Sequence, residues 1–278
     1  MPLKSIIALI VVFATWNAAG AQERIALVIG NSAYTHSLPL PNPQNDANDV
    51  AAALRELNFT VIVAVNVTKV QFDQRLAEFS ALFPRARIAL FFYAGHGMQV
   101  DGINYLLPTD ASLESEPDLS KQTIDVERLL LTIQGNARRV SLIFLDACRD
   151  NPLTRNFAQS LPKSRAVSVR SGLAMLGAGR ADSSAGRGVL IAFATSPNKV
   201  ALDGQGRNSP FTTSLLKHIR TPGLDIALVM RKVTGDVEAI TRGEQSPWVH
   251  ASLASDVILV PVVPGARCFD LNGERYCE

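Results

Sequence analysis

Two residues that could act as a nucleophile and a base each follow a short apolar run in this 278-residue chain. Cys148 lies three positions beyond the run 140–145, and His96 lies three positions beyond the run 88–93. A thiolate is the attacking form of cysteine, and an imidazole can accept the thiol proton and later protonate a leaving amine. The pair therefore predicts covalent catalysis, if the fold brings both residues together.

Both runs are typical of strands that are buried on both faces of a parallel sheet, because they are short and do not alternate strictly. Open α/β sheets place their sites beyond the carboxyl ends of the strands, so two parallel neighbours would bring Cys148 and His96 to one edge. The glycines beside His96 would let a substrate backbone approach closely. The amides of Gly97 and Cys148 could then bind a developing oxyanion.

Other chemistries find less support in the sequence. Cys148 has no C-x-x-C partner and no His-x-x-x-His spacing occurs, so we expect no metal site. The segment 28–32 lacks both the Rossmann glycine series and a Walker lysine, which argues against nucleotide binding. The net charge of +2 and the lack of a basic run with interleaved aromatic residues argue against a nucleic-acid partner.

Apolar runs and helix-capping signals alternate along the chain, which predicts an α/β fold with a mostly parallel central sheet and helices on both faces. We expect strands over 24–29, 60–65, 88–93, 140–145 and 189–194, with last segments at 247–249 and 257–260. We expect helices from Asn45 or Asp46 to about 57, from the cap Thr68 to Pro84, over 125–133, from the cap Ser209 to 219, and over 225–241. Asp101-Gly102 predicts a turn within a short hairpin or extended piece at 100–109.

The composition also predicts how the chain is divided. Lys4, the apolar stretch 5–15 and Ala19-Gly20-Ala21 follow the order of a signal peptide over 1–21, so we expect an exported protein, periplasmic or secreted. No later segment predicts a membrane span. Residues 151–187 are rich in Ser, Gly, Ala and Arg, which is typical of a flexible connector between the regions 22–150 and 188–263.

The tail 264–278 contains the other two of the three cysteines. Asn272-Gly273 is a strong signal for a two-residue hairpin turn, and counting outward from it places Cys268 opposite Cys277 in a non-hydrogen-bonded pair. The short Cα separation of such a pair suits a disulfide. Cys148 would then be the odd thiol of an exported protein, which calls for an explanation such as catalysis.

Four motifs resemble bacterial members of the caspase, metacaspase and orthocaspase superfamily of cysteine endopeptidases. They are Val28-Ile29-Gly30-Asn31 with Tyr34, Asn45-Asp46-Ala47, Tyr93-Ala94-Gly95-His96-Gly97 and Leu145-Asp146-Ala147-Cys148-Arg149, within a likeness that runs from about Glu23 to Val260. The resemblance implies the caspase-hemoglobinase fold, with a large-subunit region at 22–150, a cleavable connector at 151–187 and a small-subunit region at 188–263. It also implies that Cys148 is the nucleophile and His96 the general base and acid.

The chain departs from the metacaspase pattern at two places. Metacaspases commonly read Ser-Gly-His-Gly and Asp-x-Cys-x-Ser-Gly, whereas this chain has Ala94 before its Gly-His-Gly and Arg149-Asp150-Asn151 after its cysteine. Some metacaspases bind calcium through adjacent aspartates; here the matching piece is Asp125-Val126-Glu127, with Asp110 upstream. Because the adjacent pair is broken, we expect neither calcium dependence nor another cofactor.

The resemblance also implies a substrate preference. Asp46 matches the metacaspase aspartate that lines the specificity pocket beside the equivalent of Asp146, so both are candidate substrate-binding residues. The alternative is that Asp46 caps its helix and Asp146 accepts backbone hydrogen bonds. We expect a cysteine endopeptidase that cleaves proteins or peptides after Arg or Lys and cuts its own connector between Arg155 and Arg187. The alternative function is a catalytically silent caspase-like module that binds proteins.

Overall fold

The computed structural model describes residues 23–134, 139–147, 157–158, 169–171, 188–197, 199, 201–262, 268–271 and 274–277. Its strands are β1 Arg24–Gly30, β2 Phe59–Val65, β3 Ile88–Gly95, β4 Gly97–Val100, β5 Ile103–Leu106, β6 Ile124–Asp125, β7 Val140–Ala147, β8 Val169–Ser171, β9 Gly188–Phe193, β10 Trp248–Leu253, β11 Cys268–Leu271 and β12 Glu274–Cys277. Its helices are α1 Pro43–Glu56, α2 Lys69–Ala81, α3 Glu116–Gln122, α4 Val126–Gln134, α5 Pro210–His218 and α6 Ile226–Ile240.

The centre of the fold is a six-stranded sheet in the order β10–β9–β7–β3–β1–β2. Every neighbouring pair is parallel except β9 and the edge strand β10, which are antiparallel. All eight residues of β3 and of β7 are buried, as the unbroken apolar runs predict. The expected α/β class and mostly parallel sheet are therefore confirmed.

The connections reverse direction at β1, where the sheet offers a crevice for a site. The β1–α1–β2 unit runs to one side of β1, and the β2–α2–β3 unit returns across it to the other side. Right-handed crossovers in opposite directions place α1 and α2 on opposite faces of the sheet. The carboxyl ends of β1 and β3 flank the reversal, which is where open α/β sheets bind ligands.

A second, smaller sheet in the order β6–β5–β4–β8 follows directly after β3. The predicted hairpin is present as β4 and β5, with Asp101 and Gly102 both at positive φ in the turn. A separate apolar cluster that includes Met98, Leu113 and Phe157 packs against this sheet. Strand β8 lies within the segment expected to be a flexible connector, and it pairs with β4.

Several element boundaries differ from the expectations. Helix α1 begins at Pro43 with Asn42 as its N-cap residue, so the predicted cap at Asn45 or Asp46 is wrong. Proline suits the first turn because its missing N–H would have no intrahelical partner there. Segment 257–260 forms only an isolated bridge between Ile258 and Asp225. The caps Thr68 and Ser209 are confirmed.

The tail forms the expected two-stranded hairpin. Strands β11 and β12 pair Leu271 with Glu274 and Cys268 with Cys277, which is the register predicted from the turn. The expected signal peptide at 1–21 lies outside the described residues. Within the part of the chain that the structure describes, none of the helices has both the length and the apolar character needed to cross a bilayer.

Candidate active site

The site lies where β3 and β7 end side by side. Their register pairs Ala94 with Asp146 and Gly95 with Ala147, and these are the last pairs of the two strands. His96 comes directly after Gly95 in the chain. Cys148 comes directly after Ala147 and lies outside the described residues. The predicted adjacency of the two strands, and of their carboxyl ends, is present.

The His96 side chain is buried and held in one orientation. Its Nε2 lies 2.9 Å from the carbonyl oxygen of Leu38, and its ring centroid lies 4.4 Å from that of Tyr34. A carbonyl oxygen can only accept a hydrogen bond, so Nε2 carries the proton toward Leu38. In the neutral ring, Nδ1 is therefore the nitrogen that can accept a proton.

The backbone around His96 is fixed by two tyrosine hydroxyl groups. The amide of His96 donates to Tyr34 Oη at 2.7 Å, and Tyr93 Oη lies 2.9 Å from the carbonyl oxygens of both His96 and Leu107. The two hydroxyl oxygens are 3.3 Å apart. Complete burial, and then the nearby Tyr34, raise the pKa of Tyr93 well above its ordinary value, so its hydroxyl stays a donor at neutral pH.

Gly95 is the residue that lets these tyrosines come so close. Its φ of +155° lies in a region that side chains rarely adopt, and a Cβ atom there would be 2.6 Å from the hydroxyl oxygens of both Tyr34 and Tyr93. Only glycine fits at this position without moving the aromatic residues. The glycine before His96 therefore serves to position the imidazole.

Asn31 joins the end of β1 to the same group of loops. Its amide donates to the Ala94 carbonyl at 2.9 Å, its Nδ2 donates to the Leu107 carbonyl at 3.1 Å, and its Oδ1 accepts from the Val67 amide at 3.0 Å. The side chain is fully buried. Asn31 thus ties three strand ends together beneath His96.

The structure brings Asp46 and Asp146 together at the start of α5, where both are fully buried. Asp46 Oδ1 accepts from the Ser209 amide at 3.0 Å. Asp146 Oδ2 accepts from the Ser209 hydroxyl and, at 3.1 Å, from the Thr212 hydroxyl. Because Asp46 lies inside α1 and does not cap it, the alternative helix-cap role for Asp46 is wrong.

Ser209 is the link between the two carboxylates. It caps α5, since its Oγ accepts from the Thr212 amide at 2.9 Å. The positive end of the α5 dipole therefore points toward both aspartates. A helix N-terminus thus compensates part of the negative charge that is concentrated beside the end of β7.

The segment that resembles the calcium-binding piece does not gather the three acidic residues. Glu127 Oε2 lies 3.3 Å from the Asn104 amide, whereas Asp110 accepts from the Lys69 amide at 2.8 Å at the start of α2. Burial, reinforced by the neighbouring Asp125, raises the pKa of Glu127 to about 7. Among the described residues no group of three or more His, Cys, Asp or Glu side chains could hold a metal ion.

Sequence reasoning missed three parts of this arrangement. Leu38 contributes a backbone oxygen, for which residue type gives no signal. Tyr34 and Asn31 stood in a motif without an assigned role, although a buried aromatic hydroxyl and amide usually have specific partners. Ser209 was predicted only as a helix cap. Gly97 begins β4 opposite Leu106, whereas the sequence analysis expected a hairpin or extended piece only over 100–109.

A mostly parallel sheet with a buried, oriented histidine after one central strand, and a cysteine following the neighbouring strand in sequence, defines a caspase-like α/β protein. Residues 23–258 match the caspase domain family, and the chain belongs to that family. The expected superfamily and fold are therefore confirmed.

Two curated relatives extend the comparison. The mucosa-associated lymphoid tissue lymphoma translocation protein 1 homolog of Mus musculus is 24% identical over 252 residues, which covers 89% of this chain. The protein of that name from Homo sapiens is 23% identical over 251 residues. The chain spans only 28% of the length of either relative.

Among solved structures, caspase-1 from Spodoptera frugiperda superimposes with a TM-score of 0.61 at 16% identity. The match covers 86% of this chain and 90% of that chain. At this identity the likeness establishes a shared fold, and the family is established by the match of residues 23–258 to the caspase domain.

Proposed function

We propose that this protein is a cysteine endopeptidase in which Cys148 attacks the scissile carbonyl and His96 transfers the proton. The observation that carries the proposal is the orientation of the buried His96 ring, whose Nε2 lies 2.9 Å from the Leu38 carbonyl oxygen. His96 directly follows Gly95, which pairs with Ala147 at the end of β7. Chain continuity keeps the Cα atom of Cys148 within about 3.8 Å of that of Ala147. The nucleophile and the base therefore leave neighbouring strands at the same edge.

The oriented ring accounts for both proton transfers. Nδ1 of His96 takes the proton of the Cys148 thiol, and the thiolate adds to the carbonyl carbon of the peptide bond. The imidazolium then returns the proton to the leaving amine as the carbon–nitrogen bond breaks, and water hydrolyses the thioester that remains. The Leu38 carbonyl stabilises the imidazolium between these steps. The amides of Gly97 and Cys148 are the proposed oxyanion donors, worth about 3 to 4 kcal/mol each in comparable sites.

The proposed specificity is for Arg or Lys immediately before the cleaved bond. Support comes from the two buried carboxylates, Asp46 and Asp146, which share Ser209 and stand at the end of the strand that leads to Cys148. An arginine fork can be bound by such carboxylates in a bidentate way, whereas an acidic side chain would meet repulsion. The proposed substrates are accordingly proteins and peptides with exposed basic residues.

Peptide cleavage by matched variants tests this proposal. Cys148→Ala should abolish cleavage of a fluorogenic peptide that ends in Arg before the reporter, while Cys268→Ala should leave the rate unchanged. His96→Gln should lower the rate by at least about a thousandfold, since base and nucleophile act as a unit. Circular dichroism would verify that each variant is folded. Retained activity in Cys148→Ala would contradict the proposal, and protein binding without any cleavage would favour the silent binding module.

We expect the enzyme to cut its own connector after an Arg or Lys between Arg155 and Arg187. The segment offers spaced basic residues in a Ser- and Gly-rich context, a composition that is common at sites of proteolytic nicking. The purified protein should give two fragments on a denaturing gel, and Cys148→Ala should stay intact. Equally fast fragmentation of Cys148→Ala would assign the cut to another protease.

We also expect export, with a disulfide between Cys268 and Cys277. The opposed register of these two residues supports the bridge, which would close a loop of about ten residues and stabilise the hairpin locally. Mass spectrometry of unreduced periplasmic material should give a mature chain that starts at Gln22 and a tail peptide lighter by two hydrogens. Free thiols at both positions would refute the bridge.

Activity should be equal in calcium and in chelator, because no cofactor is proposed.

A further inference from the structure

Tyr34 contacts the proposed base His96 through two different parts of its side chain. Its ring centroid lies 4.4 Å from that of the imidazole, and its hydroxyl oxygen accepts from the His96 amide at 2.7 Å. A backbone amide has one hydrogen, and here that hydrogen is used on Tyr34. The orientation of the imidazole and the position of the backbone that carries it therefore depend on the same residue.

The loop that carries Tyr34 is fixed on both sides of the tyrosine. The two amides before Tyr34 both donate to Asn66 Oδ1, at 2.8 and 2.9 Å. The amide after it, that of Thr35, donates to the Thr109 carbonyl at 2.8 Å. Because Asn66 follows β2 and Thr109 lies just beyond β5, the two sheets together set the position of the Tyr34 hydroxyl.

The partners of the two tyrosine hydroxyls determine the order of their protons. Tyr93 Oη lies 2.9 Å from the carbonyl oxygens of His96 and Leu107, which can only accept, so its proton points toward them. In its 3.3 Å contact with Tyr34, Tyr93 is then the acceptor. The hydrogen bonds thus run in one direction, from the His96 amide through both hydroxyls and back to the His96 carbonyl.

The two hydroxyls differ in how easily each could be replaced. The His96 carbonyl also accepts from the Leu107 amide at 3.1 Å, and the Leu107 carbonyl also accepts from Asn31 Nδ2 at 3.1 Å. Both carbonyls would therefore keep a donor if Tyr93 lost its hydroxyl. The His96 amide would lose the acceptor it uses if Tyr34 lost its hydroxyl. An unsatisfied buried donor is costly, so the backbone would have to shift toward another acceptor.

We propose that Tyr34 is a positioning residue for the proposed reaction, in which its hydroxyl holds the His96 backbone and its ring holds the imidazole. This inference rests on the proposed function, since it concerns the same base. The His96 carbonyl and the Gly97 amide belong to one planar peptide group, so a shift at His96 also turns the proposed oxyanion donor. The two candidate specificity aspartates instead bond to the start of α5. Loss of the Tyr34 hydroxyl should therefore slow catalysis without weakening substrate binding.

Steady-state kinetics of the full chain on an Arg peptide would test the proposal through the separate effects on kcat and KM. Tyr34→Phe keeps the ring and removes the hydroxyl. It should lower kcat at least about tenfold, since a displacement of about 1 Å can cost about a hundredfold in rate. KM should stay within about twofold of the parent value, because binding contacts are kept. Tyr93→Phe should lower kcat by less than about threefold, because both carbonyls keep a donor.

Tyr105→Phe is the matched control, because it removes a tyrosine hydroxyl from β5 of the neighbouring small sheet. Burial, and then the nearby Asp125, raise the pKa of Tyr105, which places this hydroxyl on the side of β6. The control should keep the kcat and KM of the parent, and circular dichroism would verify that each variant is folded. The inference is overturned if Tyr34→Phe keeps the parent kcat, if it raises KM as much as it lowers kcat, or if Tyr93→Phe loses as much.

A second measurement needs neither a tyrosine variant nor cleavage. In the Cys148→Ala chain, ¹⁵N labelling of histidine alone gives one amide signal for each of the four histidines, and His96→Gln identifies the signal of His96. A buried amide bound at 2.7 Å should exchange its hydrogen with solvent slowly. Rapid exchange would overturn the inference. A parent chain that cleaves no peptide would overturn the proposed peptidase function, whereas the exchange rate would still decide whether Tyr34 holds His96.

Discussion

The two ends of the site are built in contrasting ways. At one end, the described contacts of His96 are with neutral groups, namely the Leu38 carbonyl and the Tyr34 ring. At the other end, Asp46 and Asp146 meet hydroxyl and amide donors at the start of α5. The imidazole is therefore oriented by ring packing and a backbone acceptor, whereas the carboxylates are bound by hydrogen-bond donors.

This difference predicts which kind of substitution should impair each end of the site. A ring that must gain and lose a proton is best served by partners that fix its orientation without fixing its charge. The proposed pocket for a cation must present negative charge, which a helix N-terminus stabilises. We therefore expect substitutions that change the geometry around His96 to lower catalysis. We expect substitutions that remove the charge of Asp46 or Asp146 to lower recognition of basic substrates.

The largest effect should come from disturbing the geometry at the imidazole end with Gly95→Ala. The new Cβ would lie 2.6 Å from two tyrosine hydroxyls, so the backbone that carries His96 must shift. A displacement of about 1 Å can cost about a hundredfold in rate, and we expect at least that loss in kcat. Gly235→Ala is the control, because nothing lies within 4 Å of its added Cβ in α6. Normal kcat in Gly95→Ala would contradict the proposed role of this backbone.

The next effect should come from removing charge at the carboxylate end with Asp146→Ala. Losing one partner of a buried charge pair costs about 2 to 5 kcal/mol, so kcat/KM on Arg peptides should fall at least about thirtyfold. Matched peptides with Arg, Lys, Asp or Leu before the cleaved bond would measure the change. Asp146→Asn keeps the shape and should lose nearly as much. A wild-type preference for Asp would refute the pocket assignment and leave the Cys148–His96 assignment intact.

The smallest effect concerns Glu127, a carboxylate that burial favours in its protonated form. Burial raises the pKa of Glu127 to about 7, so the folded state binds this proton more tightly than the unfolded chain does. The resulting stabilisation is present below the ordinary pKa of glutamate and is lost as the pH rises toward 7. Glu127→Gln mimics the protonated form and should be more stable than wild type at pH 8 by about 1 kcal/mol, after allowance for solvent screening.

Urea unfolding at pH 5 and pH 8 would measure this difference. The two proteins should differ less at pH 5, where Glu127 of the folded protein is protonated. An unchanged difference at the two pH values would mean that Glu127 is as easily ionised in the folded state as in the unfolded chain.

The parts of the fold that the sequence predicted are those with a local signal. The unbroken apolar runs of β1, β3 and β7 indicated buried parallel strands, and Asn272-Gly273 set the register of the tail. The meeting of Asp46 and Asp146 was expected only from the family resemblance, because the contact joins α1 to the end of β7 through Ser209. Such a contact depends on tertiary packing, which the hydrophobic periodicity of the sequence does not predict.

The parts that the sequence did not predict also have physical causes. The start of α1 was predicted too late, because proline is acceptable in the first turn and the helix begins at Pro43. Strand β8 is only three residues long and gains its hydrogen bonds from β4, far away in the sequence. The hydrogen bond from His96 to Leu38 uses a backbone oxygen in a proline-rich loop, so no side-chain type in the sequence predicts it.

The adjacency of β7 and β9 has a consequence for a protein whose connector has been cut. These strands lie on either side of residues 151–187, and they pair along six positions in the centre of the sheet. A nick between them would leave two polypeptides that share one hydrophobic core, so the molecule would keep its hydrodynamic size. Refolding of the nicked protein would become a second-order reaction, and its melting temperature would rise with protein concentration.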